Sequence, residues 1–106
     1  KKNSDFQNVY VKGKSKANRY LVMYVAQNNL SINRLGISVS KKVGNSVVRH
    51  HLTRLIREAY RLNSNMFNSS LDIVVIARNT AKDKTYKEVE SALLHLAKLH
   101  NILDEN

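Results

Sequence analysis

Apolar residues in the middle of the chain fall at Val48, Leu52, Leu55, Ile56 and Ala59, the spacing of one face of an α-helix. Gly44-Asn45-Ser46 stands just ahead as a turn and cap. A second helical pattern runs through Val89, Ala92, Leu93, Leu96 and His100, introduced by a capping box of Thr85 and Glu88. The segments between follow a different period. "RYLVMYVAQ" (Arg19–Gln27) predicts a strand with Tyr20, Val22, Tyr24 and Ala26 on one face and Leu21, Met23 and Val25 on the other. "RLGISVSK" sets Leu35, Ile37 and Val39 against Gly36, Ser38 and Ser40. "DIVVIAR" (Asp72–Arg78) is nearly continuously apolar, as in a strand covered on both faces. Near the start, Ser4 and Gln7 form a capping-box pattern, Phe6, Val9 and Tyr10 follow at helical spacing, and Gly13 is a stop. This predicts a short helix with an extra short strand near Val9–Val11. The order α-β-β-α-β-α implies an α+β fold, a two-layer α/β sandwich forming one domain over residues 1–106.

Opposite the apolar face of the central helix, His50, Arg54, Arg57 and Arg61 line up at about 100° per residue, with Arg49 and His51 on the flanks. The chain carries 18 Lys+Arg against 8 Asp+Glu, a net charge of +10. From Phe6 through Arg57 there is no acidic residue. A half-chain of one sign points to a polyanionic partner. An ordinary solvated helix face mixes signs, with Glu four residues from Arg or Lys, whereas here Glu58 alone interrupts. The planar fork of Arg suits phosphate oxygens. Lys41, Lys42 and the N–H groups after Gly44 add a candidate anion site at a helix N-terminus. The stripe reads as a grip on nucleic acid and is silent on which one. No cysteine is present, which removes disulfide and thiolate-metal frameworks and fits a reducing compartment. No apolar run reaches the length of a membrane span and no signal-peptide pattern appears, so a cytoplasmic location without membrane contact is expected.

The adjacent His50 and His51 invite an acid–base reading. Neighbouring helix positions, however, point about 100° apart and cannot face one scissile bond together. A zinc site prefers histidines at i and i+4, while His95 and His100 are five apart. The residues therefore favour contact with RNA over catalysis, and no catalytic or metal-ligating residue is expected in the protein. A second constellation joins Phe6, Tyr10 and Tyr24 to the small strand face of Gly36, Ser38 and Ser40. A strand face of glycine and serine builds no core and leaves room for a close approach to the backbone. Aromatics beside such a face can flank single-stranded bases, although core packing is the commoner use of any one aromatic.

"RLGISVSKKVGNSVVRHHLTRLIREAYR", followed by "DIVVIAR" and "TYKEVESALLHLAKL", resembles the protein subunit (C5-like component) of bacterial ribonuclease P, in one colinear pass over nearly the whole chain. The resemblance implies a small protein, one per RNA and itself monomeric. Its partner is a large catalytic RNA, and together they remove the 5′ leader of precursor tRNA. Mg²⁺ held mainly by the RNA does the chemistry. It implies that Lys41, Lys42, Asn45, Arg49, His50, His51, Arg54 and Arg57 bind the catalytic RNA, with Arg61 continuing their stripe, and that Phe6, Tyr10, Tyr24 and Arg78 line a cleft for the leader, joined by Ser38 and Ser40 of the small strand face. It also implies a left-handed β-α-β crossover, against the right-handed default. The motif departs from the family's usual Arg-Asn-Arg, with His50 and His51 in the second and third places and Thr53 where a further Lys is usual. Two permanent charges are thereby absent: the titratable His51 stands in place of one, an Arg, and the neutral Thr53 in place of the other, a Lys. The alternative reading is a ribosomal or general RNA-binding protein without a processing role. A self-sufficient histidine nuclease is a third.

Overall fold

The computed structural model describes residues 9–104. A helical turn at residues 9–12 (α1) is followed by strands β1 (Lys14–Ala17), β2 (Leu21–Gln27) and β3 (Arg34–Ser38), helix α2 (Ser46–Asn63), strand β4 (Leu71–Ala77) and helix α3 (Tyr86–Leu99). The strands form one sheet in the order β1-β2-β4-β3. β1 and β4 flank β2 antiparallel, and β3 lies parallel to β4. The mixed α+β class and the central elements follow the pattern of the sequence. The extra strand does not lie near Val9–Val11, which is helical. The Val9 carbonyl accepts from Gly13 N at 2.9 Å and closes the last turn of α1. Extended pairing begins only at Lys14, opposite Val25. β1 reads "KSKA", all exposed, so it has no apolar alternation to announce it. Its lysines suit an edge strand, where charge discourages pairing with another chain.

Register decides the two faces of the sheet. Leu21, Met23 and Val25 pair with Ala77, Val75 and Ile73, and Leu35 and Ile37 pair with Ile73 and Val75. These residues share one face, covered by Leu52, Ile56 and Ala59 of α2 and by Val89, Leu93, Leu96 and Ala97 of α3. Each large side chain fully buried there is worth about 1.5–3 kcal/mol. β4 is the central strand, and six of its seven residues are buried.

Asparagines hold the turns. Asn18 Oδ1 accepts from Tyr20 N and Leu21 N, while its Nδ2 donates to the Ala92 carbonyl at 2.9 Å, tying the β1–β2 turn to α3. Asn33 bridges the Asn68 carbonyl, the Tyr60 hydroxyl and Leu71 N. Asn45 Oδ1 caps α2 by accepting from Val48 N at 3.0 Å, and the Thr85–Glu88 capping box opens α3 as the sequence predicts. α3 ends with Asn101 in the left-handed region (φ 61°). There Ile102 N bonds the Ala97 carbonyl and Asn101 N the Lys98 carbonyl, a Schellman closure.

His100 fastens the end of α3 to β2, its Nε2–H donating to the Met23 carbonyl at 2.9 Å. Burial pushes the His100 imidazole below the ordinary histidine range; the Met23 bond opposes this in part, and Lys16 and Lys14 add to it. The folded chain therefore binds fewer protons at this site than the unfolded chain, and stability rises with pH across the window. The contribution is present above the ordinary histidine value and is lost as pH falls through the lowered one. Urea midpoints taken from about pH 7.5 to about pH 5 should fall on acidification, and His100→Gln should flatten that fall relative to the parent.

Candidate nucleic-acid interface

α2 carries the basic stripe on the side away from its buried Leu52, Ile56 and Ala59. His50, His51, Arg54, Arg57 and Arg61 are exposed, and Arg49 is half-buried. Its Nε is buried and has no hydrogen-bond partner among the described residues. Lys41 and Lys42 are exposed in the turn before the helix. The first turn of α2 contains no acidic residue, although acids are the residues that favour the positive end of a helix dipole. Two of the expected contact residues are already engaged within the fold. Asn45 spends its Oδ1 on the cap. Arg61 forms a two-pronged pair with Glu58, at 3.0 and 2.6 Å. That pair lowers the Glu58 carboxyl below its usual range, chiefly through the Arg61 hydrogen bond. Thr53, at the family's usual lysine position, donates its hydroxyl to the Arg49 carbonyl. Among the described residues, the exposed part of the stripe without an ion pair is thus His50, His51, Arg54 and Arg57. The first three border an open groove of about 540 Å³, lined by Ser46, Val47, His50, His51 and Arg54.

The other sheet face is built from the alternate register. Tyr24 and Gly36 lie on either side of Val74, Val22 and Ser38 on either side of Ile76, and Ala26 and Arg34 on either side of Asp72. The buried Val74 and Val9 stand outside the main core cluster. Tyr10 of α1 meets Tyr24 edge to face, with centroids 4.9 Å apart, so α1 forms a wall over this face. Ser38 ends β3 on the same face. Ser40 lies two residues beyond, in a turn where its carbonyl accepts from Val43 N. Arg78 extends past β4, and its Nη1 donates to the Asn18 carbonyl at 2.7 Å. Phe6 lies outside the described residues. Asp72, 5% exposed, closes one end of the face, held by Arg34 at 2.8 and 2.7 Å and by Asn28 at 2.9 Å. Sequence reasoning singled out Tyr24, Gly36 and Ser38, but not Val22 and Ile76, which continue the face beside Ser38. Their alternation within apolar runs gives no sign of which face stays open.

A family model described as Ribonuclease P matches residues 1–100. The chain belongs to the ribonuclease P protein family. The ribonuclease P protein component of Lachnoclostridium phytofermentans is 65% identical over 106 residues, covering 100% of this chain and 91% of that protein. The component from Clostridium botulinum strain Langeland is 54% identical over 100 residues, 92% of this chain and 89% of that protein. Among solved structures, the Staphylococcus aureus RNase P protein matches with a TM-score of 0.90 at 44% identity, covering 98% of this chain and 95% of that one. The Thermotoga maritima RNase P protein matches with a TM-score of 0.83 at 34% identity, covering 90% of each. Membership makes the chain a protein component of an RNA-processing enzyme of bacterial tRNA maturation, with RNA as its partner. The alternative of a general RNA-binding protein without a processing role is not favoured.

The α1 wall depends on Gly13. A Cβ built there meets the Val9 carbonyl oxygen at 2.3 Å and the Val25 carbonyl oxygen at 2.7 Å. Both obstacles are backbone, so relief requires α1 to move off β2. Gly13→Ala should cost about 1–3 kcal/mol of stability, the usual range for overpacking. The loss should be visible in urea unfolding and accompanied by a changed Tyr10–Tyr24 packing in aromatic NMR shifts.

Proposed function

We propose that the protein serves the ribonuclease P RNA as a non-catalytic partner. The exposed stripe of α2 holds the catalytic RNA, and the open sheet face under α1 receives the 5′ leader of precursor tRNA. The observation that carries this reading is the start of α2. Arg49, His50 and His51 crowd the positive end of a helix dipole with no acid to offset them, an arrangement that opposes stability and suits phosphates. Lys41, Lys42, Arg54 and Arg57 extend the same surface, and Asn45 supports it by capping the helix. Tyr10, Tyr24, Ser38 and the Val22–Ile76 floor serve the leader, with Phe6 completing the set. Arg78 and Ser40 belong to the rim. Mg²⁺ held mainly by the RNA supplies the chemistry. The protein is a monomer with one copy per RNA, acting in the cytoplasm.

Precursor tRNA should be cleaved by the catalytic RNA with the protein and not by the protein alone; cleavage by the protein alone would overturn the reading. The double substitution Arg54→Ala with Arg57→Ala should weaken catalytic-RNA binding. It should also flatten the dependence of log K on log salt by about 0.7–0.9 for each phosphate no longer neutralised. An unchanged slope would make the stripe an ordinary solvated face.

Tyr10→Ala separates the second surface from the first. It should weaken binding of leader-bearing tRNA to the reconstituted enzyme by about 1–3 kcal/mol, the worth of one base stacked on an aromatic ring. Binding of leaderless tRNA and of the catalytic RNA should stay unchanged.

A further inference from the structure

The connections at the two ends of the sheet differ sharply in charge. Residues 28–33 and 64–70, which join β2 to β3 and α2 to β4, hold no charged residue. The connections at the opposite end are the β1–β2 turn, the β3–α2 loop and the β4–α3 loop. They hold Arg19, Lys41, Lys42, Arg78, Lys82 and Lys84 against Asp83 alone. Both long helices begin at that end. The α2 stripe uses only part of this charge. The remainder borders an open groove of about 480 Å³ between the β1–β2 turn and α3, lined among others by Arg19, Tyr20, Lys87, Ser91 and His95.

We propose that this groove is a second binding site for an RNA phosphodiester backbone, separate from the α2 stripe and from the sheet face under α1. Arg19 and Lys87 are exposed, and among the described residues neither meets a carboxylate. The turn that presents Arg19 is fixed from three sides. Asn18 is bonded to α3 through the Ala92 carbonyl, Arg78 donates to the Asn18 carbonyl, and the Thr80 hydroxyl donates to the Arg19 carbonyl. A cation on an anchored backbone gives up little freedom when it binds. Lys84 sits over the Tyr20 ring, 5.4 Å from its centroid, a cation–π arrangement that keeps its ammonium at the rim. The orientation of Asn18 is set by its Oδ1, which accepts two backbone N–H groups. Its Nδ2 therefore donates to His95 Nδ1 at 3.1 Å, which leaves Nε2–H as the donor of that ring. Glu88 also lines the groove, but its Oε1 is taken up by Thr85 N and Thr85 Oγ1 in the capping box.

Lys84 links the groove to the stripe. Lys84 and His51 line one depression between the β4–α3 loop and α2, and Lys84 reaches Tyr20 on the far side. A strand leaving the α2 stripe past His51 meets Lys84 and then the pair Arg19 and Lys87. The proposal takes its RNA partner from family membership and does not require the α2 stripe to be the principal RNA-binding surface.

The test measures affinity of the full protein for its catalytic RNA across a salt series. The double variant Arg19→Gln with Lys87→Gln should reduce the salt slope by about 0.7–0.9 for each phosphate no longer neutralised. Lys98→Gln removes one charge from the opposite end of α3 and should leave the slope at the parental value. Arg19→Lys with Lys87→Arg keeps both charges and should restore the parental slope, which separates the removal of charge from a failure to fold. A double-variant slope equal to that of the parent or of Lys98→Gln would overturn the assignment. Measuring Arg54→Ala with Arg57→Ala in parallel shows which surface fails: a flattened slope there alone refutes the groove, and a flattened slope in the groove variant alone refutes the stripe.

Discussion

The parallel pairing of β3 with β4 is the constraint on which both candidate surfaces depend. Two parallel neighbours cannot be joined by a tight turn, so the chain must cross the length of the sheet between them. α2 is that crossing. It leaves the end where β3 stops and returns to the end where β4 begins, and α3 then starts from the end where β4 stops. Both long helices therefore open at the same edge of the molecule. The positive ends of two helix dipoles coincide with the loops that carry Lys41, Lys42, Lys82 and Lys84. The helices share one sheet face, which leaves the Tyr24–Val74–Gly36 row on the other without a long helix over it.

α2 has to satisfy two opposing demands. Its inner side needs Leu52, Ile56 and Ala59 buried against the sheet and α3. Its outer side and first turns carry cations that a free-standing helix would avoid at that end. The core supplies stability far exceeding a few tenths of a kcal/mol per misplaced surface charge, and the Asn45 cap holds the first turn. Local electrostatics and global packing disagree here, and such disagreement is expected at a functional surface. The half-buried Arg49, whose Nε lacks a partner among the described residues, is the sharpest instance.

Strong periodicity was legible from the chain alone. Both long helices, three of the four strands and the Thr85–Glu88 box follow from apolar spacing and cap chemistry. What stayed hidden depends on partners distant in sequence. β1 exists because Lys14–Ala17 pairs with β2, and "KSKA" bears no mark of it. Val9 and Val11 look alike in sequence, yet one is fully buried and the other 79% exposed, because α1 meets the sheet with one side only. The open sheet face was half visible: Gly36 and Ser38 announce it, while Val74 and Ile76, in a strand that reads as covered on both faces, do not. Arg61 belongs to the stripe by angle and is withdrawn from it by Glu58 three residues earlier, a spacing that the sequence does show. Arg78 is drawn to the Asn18 carbonyl, a bond across 60 residues that no local pattern encodes.

The net charge understates how one-sided the surface is, because acids and bases are used differently. Glu58 binds Arg61, Asp72 holds Arg34 and Asn28, Glu88 closes a cap, and Glu90 accepts from Asn63 and Tyr86. Each of these carboxylates is a fastener inside the fold. Among the described cations, Arg34 and Arg61 are held by carboxylates and Arg78 by the Asn18 carbonyl. Among the described residues, the other lysines and arginines form no ion pair that a phosphate would have to break, and Lys84 alone of them acts at longer range on a carboxylate, that of Glu88. RNA binding to such a surface releases counterions from the nucleic acid and breaks no internal ion pair. Stability and affinity are therefore assigned to different charges. Weakening the fasteners would loosen the fold, whereas neutralising the unpaired cations would change the grip and leave the fold in place.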